Sequence, residues 1–166
     1  MAKMLNAFIL AAGLGERLRP ITNRIPKPLL PILGKPVLQS VIEKTLTLPV
    51  QEIGINLHHK KELIEKWITQ YSFKETISSK KNQKGIYPSP TPLPQGEGAR
   101  GRVNIFPSKN IKLFPEKQIL GTGGALKNAE AFLKNKTFLV HNSDIVSKID
   151  LGALIKSHNS SKNLVT

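Results

Sequence analysis

Apolar residues along this chain alternate between two periods. Residues 4–11, "MLNAFILA", form a short and nearly continuous apolar run ending in glycines, the pattern of a strand buried on both faces of a parallel sheet. From Val37 the period changes. Val37, Leu38, Val41, Ile42 and Leu46 recur at helical spacing, with Pro36 suited to a first turn and Pro49 ending the pattern. Alternation returns in "EIGINL" at residues 52–57, where Ile53, Ile55 and Leu57 predict a strand, and Leu63, Ile64, Trp67, Ile68 and Tyr71 then share one helical face. "IKLFPE" from residue 111 reads as a strand before a Gly-rich turn. Ala125, Leu126, Ala129, Phe132 and Leu133 mark the inward side of the next helix. "TFLVHNSD" is a further buried strand with its polar residues at the carboxyl end; "LGALIKSH" reads as a helix, and another strand begins at "NLVT".

A β/α alternation of this kind predicts the α/β class, a mostly parallel sheet with helices on both faces, in which ligands bind outside the carboxyl ends of the strands. The glycines after the first strand and Asp144 after the last would share that edge. At 166 residues the chain is expected to form a single domain, residues 1–166, with one core. Residues 78–110 differ in composition. Proline recurs at alternate positions from Pro88 to Pro94 with glycines behind, so the segment can neither pair in a central strand nor continue a helix. It is expected to be a disordered loop inserted into the domain; a ligand for a Pro-binding module is the other reading. No internal repeat is present.

Charge adds a partner class. The formal net charge is +14, which calls for an anion: nucleic acid, a membrane surface or a phosphorylated small molecule. Part of that excess, Lys80, Lys81, Lys84, Arg100, Arg102 and Lys109, lies in the Pro-rich segment, and only 5% of residues are aromatic, so a stacking platform for nucleic acid is not apparent. The absence of cysteine excludes a disulfide framework and thiolate metal sites, and leans the compartment toward the cytoplasm. Lys3 with the apolar run after it has the outline of a signal peptide, but "GLGERLRP" would then begin the mature chain with accidental spacing. No run approaches the length of about 20 apolar residues that spans a bilayer, so a soluble protein is expected.

The stretch "FILAAGLGERLRP", residues 8–20, carries the chemistry. Gly13 and Gly15 remove side chains where consecutive N–H groups can face an anion, and Arg17 and Arg19 bring donors suited to phosphate oxygens. Leu18 occupies the third glycine position of the dinucleotide fingerprint, and the G-K-[ST] of a P-loop is missing. His58 and His59, being neighbours near a strand end, point to opposite faces and are expected to pack or be solvated rather than share a metal. His141, three residues from Asp144, defines no site alone, and Trp67 and Tyr71 are expected in the core.

In their joint order and spacing, "LAAGLGERLRPIT", "PKPLLPILGKP", "GTGGALKNAE" and "FLVHNSD" resemble the sugar-1-phosphate nucleotidylyltransferases, from about Phe8 to the end of the chain outside the Pro-rich segment. The resemblance implies a Rossmann-like fold and transfer of a nucleotidyl group from a nucleoside triphosphate to a sugar 1-phosphate, releasing pyrophosphate. It implies that Ala12, Gly13 and Gly15 surround the nucleotide phosphates, that Arg17 holds the triphosphate and the departing pyrophosphate, and that Lys27 bridges the α-phosphate and the sugar phosphate. Gly121, Thr122, Gly123 and Gly124 would pass close to the base and ribose, and Asp144 would be a carboxylate ligand of Mg²⁺. The family often has threonine where this chain has Glu16.

The family's catalytic domain is longer than this chain, and its second metal-binding aspartate and most of its sugar pocket lie beyond the position matching Thr166. A truncated, inactive or nucleotide-binding-only module is therefore the rival expectation, and a basic nucleic-acid-binding domain a further one. "ILGTGGALKNAEAF" resembles guanylyl-transferring members acting on mannose or heptose 1-phosphate, whereas "GLGERLRP" is equally similar to uridylyl-transferring members.

Overall fold

The structure, a computed structural model, describes residues 5–70, 111–161 and 163–166. The Pro-rich insertion expected at residues 78–110 and the core position expected for Tyr71 lie outside the described residues. Strand β1 (Leu5–Leu10) leads through three 3-10 turns (Glu16–Leu18, Ile21–Asn23, Lys27–Leu29) to a two-residue ribbon, β2 (Pro31–Ile32) against β3 (Lys35–Pro36). Helix α1 (Val37–Leu46), strand β4 (Val50–Leu57) and helix α2 (Lys61–Gln70) follow. Strand β5 (Ile111–Pro115), helices α3 (Gly121–Asn128) and α4 (Glu130–Leu133), strand β6 (Phe138–Asn142) and helix α5 (Leu151–Ser161) complete the order.

Strands β5, β4, β1 and β6 pair in that order, every pair parallel. Parallel neighbours require crossovers, and the alternating residues of β1 show where these lie. Leu5, Ala7 and Ile9 face one core with Val37, Leu38, Val41 and Ile42 of α1, Ile64, Trp67 and Ile68 of α2, and Leu151 of α5. Phe8 faces the other way, into a smaller core with Ala125, Ala129, Phe132 and Leu133 of the α3–α4 segment. This is the α/β sheet with helices on both faces that the alternation predicts, and the Rossmann-like fold that the resemblance implies. The apolar run that mimics a leader is its central strand.

The strand expected to begin at "NLVT" is not found, since residues 163–166 form no strand, and two further expectations are corrected. The helix expected through Ala125 and Leu133 is broken at Ala129, and the turn brings the Phe132 ring to 5.3 Å from that of Phe114 and 6.5 Å from that of Phe8. Gly54 lies under these rings, where a Cβ would stand 2.7 Å from Phe8 and 2.8 Å from Phe132. Strand β6, expected to be buried, alternates instead: Leu139 and His141 are buried, whereas Phe138 (39% exposed) and Val140 (36%) are not. It is the last strand of the sheet, and the α3–α4 segment packs over Phe8 and Phe114 rather than over it.

The chain leaves β1 for β4 and β5 on one side and returns to β6 on the other. The carboxyl ends of β1 and β6 therefore lie at a topological switch point, where open α/β sheets bind ligands in a crevice.

Candidate functional site

The loop after β1 forms one wall of that crevice. Ala11 and Ala12 are buried, so their side chains anchor the strand end while Gly13 is exposed. The two glycines differ in purpose. A Cβ on Gly13 would meet nothing within 4 Å, which leaves the backbone open to close approach. Gly15 has φ +66°, and a Cβ there would lie 2.8 Å from Thr22 Cγ2 and 3.2 Å from Lys27 Cβ. The turn and the packing by themselves require glycine there. Thr22, buried, donates its hydroxyl to the Gly15 carbonyl at 3.0 Å and so closes the turn.

Lys27 sits at the start of the third 3-10 turn, flanked by the buried Pro26 and Pro28, which fix the backbone and direct the side chain outward. Its ammonium donates to Asp144 Oδ2, joining the β1 and β6 sides of the crevice. About a third of each side chain is exposed (30% and 33%), so both groups remain open to a ligand. The guanidinium of Arg17, on the exposed first 3-10 turn, has no partner among the described residues, whereas Arg19 pairs with Glu16 at 3.5 Å. Residues 16–27 thus present Arg17, Arg19, Arg24 and Lys27 against the single acid Glu16.

On the other side of the β1 tip, Gly121, Thr122, Gly123 and Gly124 form the first turn of α3 rather than a separate loop. Gly121 has φ +68°, and a Cβ on Gly121 or Gly123 would meet nothing within 4 Å. Gly124 differs: a Cβ there would stand 2.7 Å from Leu120 Cβ. The structure thus brings Gly15, Lys27 and Asp144 together directly. Ala12 and Gly13 are joined to the Gly121 turn only through residues the sequence motifs did not single out.

Those residues are Asn56 and Glu116, both buried. Asn56 at the end of β4 accepts the Ala11 N–H through Oδ1 at 2.7 Å and donates Nδ2 to Glu116 Oε1 at 2.8 Å. Glu116 Oε2 accepts the Leu120 N–H at 3.1 Å. The adjacent histidines point to opposite sides, as expected. Since a carbonyl can only accept, His58 Nδ1 donates to the Glu116 carbonyl and His59 Nε2 to the Thr22 carbonyl, each at 3.0 Å. A polar residue in the otherwise apolar "GINL" and an acid directly after a strand were the available signals.

No group of three or more histidine, aspartate or glutamate side chains is placed to hold a metal among the described residues. Asp144 can contribute one carboxylate, a donor set that fits a Mg²⁺ ion sharing its coordination with substrate phosphates and does not fit a cage made by protein alone. No helix among the described residues is long and apolar enough to cross a membrane.

Known proteins resemble this chain in sequence and fold. The bifunctional protein GlmU of Methanocaldococcus jannaschii is 32% identical over 92% of this chain and 28% of its own length. The D-glycero-alpha-D-manno-heptose 1-phosphate guanylyltransferase of Campylobacter jejuni is 31% identical over 90% of this chain and 52% of its own. The crystal structure of HddC from Yersinia pseudotuberculosis complexed with GMP-PN superimposes with a TM-score of 0.62 at 28% identity, covering 93% of this chain and 54% of that one. UTP–glucose-1-phosphate uridylyltransferases are also among the relatives. The chain therefore spans about half the length of these relatives or less. A family profile described as nucleotidyl transferase matches residues 6–166. Because that match runs from the central strand through the last helix, the chain belongs to the nucleotidyl transferase family.

Proposed function

We propose that this chain carries out nucleotidyl transfer from a nucleoside triphosphate to a sugar 1-phosphate in the cytoplasm, with guanylyl transfer to mannose or heptose 1-phosphate as the first choice. The observation that carries the reading is the Lys27–Asp144 contact across the crevice, beside the open backbone of Gly13. Two relatives support the guanylyl choice: one is named a heptose 1-phosphate guanylyltransferase, and the other was crystallised with GMP-PN.

The chemistry asks for alignment and charge neutralisation. An oxygen of the sugar 1-phosphate attacks the α-phosphorus, the bond to the bridging oxygen breaks, and pyrophosphate leaves with that electron pair. No general base is needed, because the attacking phosphate oxygen is already ionised. The N–H groups of the Ala12–Gly13 backbone and the Arg17 guanidinium would hold the β- and γ-phosphates, and Arg17 would offset charge on the leaving pyrophosphate. Lys27, released from Asp144 by an incoming phosphate, would span the α-phosphate and the acceptor. Gly121, Thr122, Gly123 and Gly124 would face the base and ribose. Mg²⁺ held by Asp144 and substrate phosphates would supply further neutralisation of charge.

The test is the thermal stability of the purified chain with GTP, UTP, dTTP, ATP or CTP, with and without Mg²⁺, beside Arg17→Ala. A ligand at about 100 times its dissociation constant adds about 2.7 kcal/mol. Stabilisation by GTP that needs Mg²⁺ and Arg17 supports the reading, and pyrophosphate release with mannose or heptose 1-phosphate then tests the acceptor. Failure of every triphosphate to stabilise the chain would overturn it; preference for UTP would replace guanylyl by uridylyl transfer.

A further inference from the structure

We propose that His59 is a positioning residue for Arg17, fixing to the end of β4 the two 3-10 turns from which that guanidinium reaches the triphosphate. This inference rests on the nucleotidyl-transfer reading. The turn Glu16–Leu18, which carries Arg17, has no buried residue, and the turn Ile21–Asn23 has one, Thr22. Thr22 is therefore the anchor for both. Its hydroxyl donates to the Gly15 carbonyl at 3.0 Å, and the same carbonyl accepts the Leu18 N–H at 2.9 Å, so the place of Thr22 sets that of the Arg17 turn.

Thr22 needs a partner from outside its own loop. The N–H groups that could close a helical turn on its carbonyl belong to residues 25 and 26. Ile25 donates to the Ile21 carbonyl instead, at 3.1 Å, and Pro26 has no N–H. His59 Nε2 supplies the missing donor at 3.0 Å. It does so from the turn between β4 and α2, where Lys60 has φ +50° and its carbonyl accepts the Leu63 N–H at 3.0 Å. The loop after β1 thus has a polar tie on each side, Lys27 to Asp144 and Thr22 to His59. In the proposed reaction a phosphate draws Lys27 away from Asp144. The tie to His59, made to a backbone carbonyl, stays in place while the ligand is bound.

The test is a double-mutant cycle read by calorimetry of GTP binding with Mg²⁺, on the wild type, His59→Phe, Arg17→Ala and the double variant, with His59→Gln beside them. Phenylalanine keeps a ring and removes the donor, whereas glutamine places an N–H as many bonds from the backbone as His59 Nε2. His59→Phe should weaken GTP binding about tenfold where Arg17 is present and less than about twofold where it is replaced, and His59→Gln should stay within about threefold of the wild type. Equal weakening in both backgrounds, no weakening in either, or failure of glutamine to retain binding overturns the proposal. Should His59→Phe fail to fold, or Arg17→Ala bind too weakly to measure, NMR of the His59 Nε2–H proton in the wild type decides. GTP should slow its exchange with water, and an unchanged rate overturns the proposal. Binding of neither GTP nor UTP to the wild type overturns the nucleotidyl-transfer reading instead, and UTP replaces GTP in the cycle if it alone binds.

Discussion

Lys27 Nζ donates a hydrogen bond to Asp144 Oδ2 although the two residues are 117 positions apart. The contact joins the two sides of the crevice by a pair that a phosphate and a divalent cation could take apart. Because both side chains are about one-third exposed, the pair itself adds little to stability, under about 1 kcal/mol. Lys27→Ala is therefore expected to leave the unliganded melting temperature nearly unchanged and to reduce stabilisation by GTP by about 1.5–3 kcal/mol, the worth of hydrogen bonds to a charged group. Asp144→Asn should remove the Mg²⁺ dependence of that stabilisation. Melting curves with and without GTP and Mg²⁺ check both.

The glycines of the first loop should separate stability from binding. Gly15→Ala places a Cβ at positive φ and 2.8 Å from Thr22 Cγ2, so it is expected to destabilise by about 1–2 kcal/mol or more. Gly13→Ala meets nothing within 4 Å, and its φ is not in the left-handed region. Its stability should stay within about 0.5 kcal/mol of the wild type. Nucleotide binding should nevertheless fall, since the added methyl group stands where the proposed function brings the phosphates. Urea denaturation and calorimetry distinguish the two effects.

Thr22→Val keeps the shape of a fully buried side chain and removes the donor to the Gly15 carbonyl. Leaving that acceptor unpaired should cost about 1–2 kcal/mol, read as a lower denaturation midpoint with an unchanged slope.

Gly54→Ala tests the smaller core. The new methyl group would lie within 3.0 Å of Phe8, Phe132 and Phe114, so the three rings must shift together. Overpacking of this kind costs about 1–3 kcal/mol. A lowered melting temperature with retained GTP stabilisation is expected, because the rings lie under the sheet and not in the crevice.

The strands and helices of the larger core were legible because a buried face imposes its period on the sequence. Ile53, Ile55 and Leu57 alternate, and Val37, Leu38, Val41 and Ile42 recur with the helical turn, wherever one side of an element meets apolar neighbours. The exposure of Phe138 and Val140 was not legible. Their types match a buried strand, and only the strand order and the position of the α3–α4 segment leave their face uncovered.

For the site, residue types and local spacing singled out the groups proposed for phosphate chemistry, the glycines at 13 and 15 and the arginine at 17, and the family resemblance added the lysine between prolines and the aspartate after the last strand. These are local features, since a turn, a charge and a strand end are written within a few residues. Tertiary structure alone decided how they are arranged. It set Gly15 against Thr22 and Lys27 and left Gly13 open, paired Lys27 with Asp144, and joined Ala11 to Leu120 through Asn56 and Glu116. The physical reason is that hydrogen bonds between buried polar groups depend on which strands lie side by side, and strand order is a property of the packed sheet that no local pattern records.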